Sequence, residues 1–128
     1  MSEWLVDGMN LLGSRPDGWW RDRPAARRRL VAELARFTER TGEGVSVVFD
    51  GRPGPDEVAD AARLGVAARF APGGPDAADD VIFTLVEGSR DPAGATVVTS
   101  DAGLAGRVRA AGGVVLGVSA FRRLLTAS

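Results

Sequence analysis

Short apolar runs alternate along the chain with longer stretches whose apolar residues recur at the helical period. Runs bounded by Gly, Pro and Asp, and rich in Val and Leu, predict strands over residues 3–7, 45–50, 66–70, 95–100 and 114–118. Between them, Leu30, Leu34 and Phe37, with Val31 beside them, mark the buried stripe of a helix. Arg29, Glu33, Arg36 and Arg40 occupy its other side. That helix is expected to start at Pro24, which suits a first turn, and to end near Thr41 before Gly42 and Gly44. Further helices are predicted over 56–64, from Ala77 to Ser89 with Ile82, Leu85 and Val86 inward, and over 102–111 and 119–126. Residues 11–23, rich in Gly, Pro and Arg, read as a loop. Strands that alternate with helices, and are apolar throughout, imply an α/β fold with a parallel sheet covered on both faces.

Three of the predicted strands run into an acid. "WLVDGMN" reaches Asp7, "VSVVFDG" reaches Asp50, and "TVVTSDAG" reaches Asp101. One carboxylate after a strand is ordinary turn chemistry, but parallel strands deliver all their carboxyl ends to one edge, where ligands bind in open sheets. Gly8 and Gly51 relieve crowding where the chain turns beside two of these acids. Asp79 and Asp80 fall in the first turn of a helix that starts near the same edge. Asp76 reads as a cap for that helix, and Ser100 as a cap for the helix after Asp101.

Composition narrows the chemistry. The 128 residues suit a single domain, 1–128, around one core. His, Cys, Tyr and Lys are all absent, and the 16 basic residues are all Arg. Triads built on His, thiolate zinc sites, Schiff bases and the phosphate loop that depends on Lys are thereby excluded. Catalysis must then rest on Asp or Glu, or on water activated by a metal they hold. Clustered carboxylates repel unless a cation or protons separate them, and oxygen donors favour Mg²⁺ or Mn²⁺, ions suited to phosphodiester hydrolysis. Net charge is −1, yet Arg15, Arg21, Arg23 and Arg27 to Arg29 crowd one segment while acids crowd residues 76–80. Such a split suits an anionic polymer laid across a basic surface and an acid-held metal. No run is long enough to cross a membrane. The N-terminal residues lack the pattern of a secretory leader and there is no cysteine, so a cytoplasmic location is expected.

"LVDGMN", "VVFDG", "AADDVI" and "VVTSD", in that order, resemble the YacP-like branch of the NYN domains, within the PIN-like nuclease fold. The resemblance runs from about Trp4 to Leu125. It implies a three-layer α/β/α sandwich with a mainly parallel sheet, and a divalent-metal site that cleaves RNA. By position, Asp7, Asp79 and Asp101 match the family's metal ligands. Asn10 matches the Asn of its signature, and Asp50 and Asp80 match further acidic positions. Met9 stands where Tyr or Asn is more usual. RNA contacts are expected from Arg52 beside the acids, from Arg27 and Arg28 as a phosphate patch, and from Trp19 and Trp20 among Arg21 and Arg23. The expected function is a Mg²⁺- or Mn²⁺-dependent endoribonuclease, with a ribosome as a candidate presenter of substrate. The alternative is an RNA- or ribosome-binding module on the same fold that does not cut. A receiver domain or an aspartyl phosphatase would also place acids at strand ends, but both use a Lys that this chain lacks.

Overall fold

The computed structural model describes residues 3–74 and 76–127. Five strands form one sheet: β1 (Glu3–Asp7), β2 (Gly44–Asp50), β3 (Val66–Ala71), β4 (Ala95–Val98) and β5 (Val114–Leu116). All neighbours pair in parallel, in the order β3-β2-β1-β4-β5. Six helices connect and cover them: α1 (Gly8–Gly13), α2 (Arg23–Thr41), α3 (Glu57–Arg63), α4 (Ala77–Glu87), α5 (Ala102–Ala110) and α6 (Val118–Thr126).

Side-chain alternation along the strands divides the core into two layers. Val6, Val45, Val47, Phe49 and Val98 face Leu11, Leu30, Leu34, Phe37 and Phe121 of α1, α2 and α6. Leu5, Val48 and Val97 face Ala78, Ile82 and Val86 of α4 and Leu104 and Val108 of α5. The result is a three-layer sandwich, and the sheet is parallel throughout. From β1 the chain winds outward through β2 to β3. It then crosses back over the sheet through α4 to β4, which pairs with the other side of β1. The winding direction therefore reverses between β1 and β4, and this reversal opens a crevice at their carboxyl ends.

The strands and long helices match the expected positions to within about two residues, but the loop expected over 11–23 is partly ordered. Gly8–Gly13 is helical because Asp7 caps it, accepting from the Asn10 amide at 3.4 Å, and because Leu11 and Leu12 are buried. Trp19–Arg21 forms a 3₁₀ turn that runs directly into α2. Asp22 caps α2 through a 3.1 Å bond from the Ala25 amide, ahead of the expected start at Pro24. No described helix is long and apolar enough to cross a membrane.

Candidate active site

Strand parity decides which acids meet. Asp7 lies two residues after Leu5, Asp50 two after Val48, and Thr99 two after Val97. Leu5, Val48 and Val97 all pack on the α4 and α5 side of the sheet, so the three polar side chains project to that side at its carboxyl edge. Asp79 opens α4 there, three residues before Ile82 and seven before Val86, on the stripe that faces the sheet. Asp101 caps α5 beside the end of β4.

Asp7 is only 3% exposed and is tied down at both oxygens. The Thr99 hydroxyl donates to its Oδ2 at 2.9 Å, and the Asn10 amide reaches Oδ1. The same hydroxyl accepts from the Asp101 amide at 3.1 Å, so one buried Thr couples the acid of β1 to the turn after β4. Asn10 supports that turn from the other direction, its Oδ1 accepting from the Ser100 amide at 2.9 Å. The helix cap is Asp101 itself, whose Oδ1 accepts from the Leu104 amide at 2.9 Å. The expected cap, Ser100, accepts instead from the Val118 amide at the start of α6. Gly8 is required by space: a Cβ there would lie 2.5 Å from Phe49 Cδ1 and 2.9 Å from the Val48 carbonyl oxygen. Gly51, at φ 85°, makes the left-handed turn after Asp50.

The acids act on one another's charge. Burial raises the Asp79 pKa to about 6, with Asp7, Asp101, Asp76 and Asp50 adding repulsion. Asp7 is also raised, by burial first. The Thr99 and Asn10 hydrogen bonds oppose that shift, and the charges of Asp50 and Asp101 add to it. Burial raises Asp50 against the pull of Arg23, and its Oδ1 is buried without a hydrogen-bond partner. Asp76 occupies the cap position of α4, but its side chain makes no capping bond and its charge bears on Asp79. Among the described residues no three His, Cys, Asp or Glu side chains lie close enough to hold a metal ion together. In donor chemistry the residues fit a hard divalent ion: oxygen only, mutually repelling, with one buried oxygen lacking a partner. A cavity of about 210 Å³ lined by Trp4, Ser46, Arg69 and Leu85 contains none of these acids.

Three expected site residues are paired elsewhere. Asp80 is exposed and pairs with Arg107 of α5 at 3.1 Å, because successive helical residues point about 100° apart and only Asp79 can face the sheet. Arg27 is buried, not a phosphate contact. It grips Glu57 through two bonds, at 2.5 and 2.9 Å, with its guanidinium 5.3 Å from the Phe70 ring. Arg28 pairs with Asp60 at 3.0 Å on the outer side of α2. Arg52 is exposed directly after Gly51. Trp19 packs partly against the core and Trp20 is 52% exposed. Thr99, bonded to Asp7 and to the Asp101 amide, carries no motif of its own. Its signal is parity, since it sits two residues after the buried Val97 and so on the same side as Asp7.

The YacP-like NYN domain family matches residues 4–128. The chain belongs to that family. It is accordingly a nuclease-type domain with a PIN-like fold. The crystal structure of the W164L mutant of Rae1 (YacP) from Bacillus subtilis resembles this NYN domain with a TM-score of 0.77 and 25% identity, covering 98% of this chain and 75% of that one. A second Rae1 (YacP) crystal structure from the same organism gives 0.73 and 24%, covering 98% and 74%. No curated protein matches the chain.

Proposed function

We propose that this YacP-like NYN domain is a metal-dependent endoribonuclease, with Asp7, Asp79 and Asp101 as ligands of Mg²⁺ or Mn²⁺ and Asp50 beside them. The observation that carries this reading is a half-buried Asp79, raised to about 6 by burial first and then by the charges of Asp7, Asp101, Asp76 and Asp50, which come from two strand ends and two helix starts. A surface that only bound RNA would gain nothing from such a cluster, which repels phosphates. A divalent ion bound there supplies polarisation of a phosphoryl oxygen and a lowered pKa for water. The residues of the chain do the rest. Thr99 holds Asp7 and the Asp101 turn in one geometry, and Asn10 fastens that turn to α1. The Oδ1 of Asp50, buried without a hydrogen-bond partner, is an acceptor that no protein group uses. Arg23 and Arg52 offer guanidinium groups to the phosphates flanking the cut.

RNA is the proposed polymer, with a ribosome as a candidate presenter and the cytoplasm as the site of action. The test is cleavage of an RNA mixture in Mn²⁺ by the wild type and by Asp101→Asn. Cleavage that needs Mn²⁺, stops in EDTA and is abolished in a folded Asp101→Asn variant is expected. Full activity of the variant, or activity in excess EDTA, rejects the mechanism. A second reading, binding without cutting, draws on the absence of any three described metal-ligating side chains close enough to share an ion. Tight RNA binding with no cleavage across several divalent ions would favour it.

A further inference from the structure

The segment between α1 and α2 alternates indole and guanidinium groups. Gly18, at φ 78°, turns the chain into the 3₁₀ turn that carries both indoles. Trp19 packs partly against the core, while Trp20 stands out, 52% exposed. The two rings meet edge to face, 6.1 Å apart at 89°, so the half-buried ring braces the exposed one. The Arg21 guanidinium lies 5.8 Å from the Trp20 ring and that of Arg23 5.3 Å from the Trp19 ring. Arg23 begins α2, and its charge is felt by Asp50.

An exposed Trp can serve a protein partner, but such interfaces centre on contiguous apolar area. Among the described residues the other large exposed apolar side chains, Val58, Leu64, Val114 and Leu124, belong to α3, the turn after it, β5 and α6. Beside the Trp20 ring lie Trp19 and the Arg21 guanidinium, in a segment that also carries the exposed acids Asp17 and Asp22. An exposed aromatic face with a guanidinium beside it suits a base with its phosphate, and only an unpaired base can offer that face.

We propose that Trp20, braced by Trp19 and flanked by Arg21, is a stacking platform for one unpaired base, so that the domain selects single-stranded RNA. This rests on the ribonuclease reading above.

The test uses an oligoribonucleotide carrying one 2-aminopurine, bound in EDTA and again in Ca²⁺. Binding by the wild type should quench the fluorescent base. Trp20→Ala should lose the quenching and bind about 5- to 150-fold more weakly, the range for loss of one base–aromatic stack. Trp20→Phe should keep most of both, and affinity for a perfect duplex should not respond to residue 20. Because Trp20 is largely exposed, Trp20→Ala should fold normally, which circular dichroism checks. Unchanged quenching and affinity in folded Trp20→Ala overturns the platform and assigns the indole to a protein partner. Failure of the wild type to bind the oligonucleotide overturns it too. The two readings separate cleanly. Cleavage that depends on Asp101 but not on Trp20 removes the platform alone, whereas Trp20-dependent stacking without cleavage in Mn²⁺ removes the nuclease alone.

Discussion

Replacing Asp79 with Asn should make the protein more stable, although it removes a proposed metal ligand. Asp79 titrates near 6 when folded, against 3.8 as a free side chain. A shift of about two units is worth about 3 kcal/mol, at 1.36 kcal/mol per unit. A carboxyl raised in this way keeps its proton longer in the folded state. Folding is therefore penalised as pH rises from 3.8 toward 6 and beyond, and the penalty is absent below 3.8, where both states are protonated. Two effects reduce the gain. The side chain is partly open to water, which screens its repulsion, and Asn loses the favourable interaction of a charge in the first turn of α4, about 0.3–1 kcal/mol. The net expectation is about 1–2 kcal/mol at pH 8 in EDTA, a rise in Tm of several degrees. Urea unfolding at pH 8 and at pH 3.5 measures it. The gain should be present at the higher pH and gone at the lower one. No gain at pH 8, or an equal gain at both, refutes the electrostatic account of the site.

Thr99→Val keeps the shape but removes the hydroxyl that binds Asp7 and the Asp101 amide. It should cost about 1–3 kcal/mol in urea unfolding and lower Mn²⁺-dependent cleavage at least tenfold, with Thr99→Ser recovering most of both. Gly8→Ala would drive a methyl into Phe49 and the Val48 carbonyl, and should lose about 1–3 kcal/mol by the same measurement. Arg27→Met leaves the Glu57 carboxylate buried without its partner and should cost about 3–5 kcal/mol, with Glu57→Gln added on top restoring part of the loss in a double-mutant cycle.

Much of this was legible before folding because strands and acids carry their own punctuation. Apolar runs that stop at Asp-Gly marked β1 and β2. The alternation of helix and strand periods then required a parallel sheet, which placed Asp7, Asp50 and Asp101 on one edge. What escaped was long-range pairing. Arg27 looks like its neighbours Arg28 and Arg29 in sequence, and only Glu57, 30 residues away, makes it a buried clamp. Asp79 and Asp80 are both acids at a helix start. The 3.6-residue period, counted back from Ile82 and Val86, separates the one that faces the sheet from the one that meets Arg107. The helix α1 was hidden because six residues with two buried leucines are too few to show a period, and because its cap is Asp7, read as a strand end.

The most direct trial of the central claim is diffraction from crystals soaked in Mn²⁺, recorded at the manganese absorption edge. An anomalous peak among Asp7, Asp79 and Asp101, lost in Asp79→Asn, is the predicted result. A protein fully exposed to Mn²⁺ that shows no peak at these carboxylates, or shows its metal elsewhere, contradicts the account.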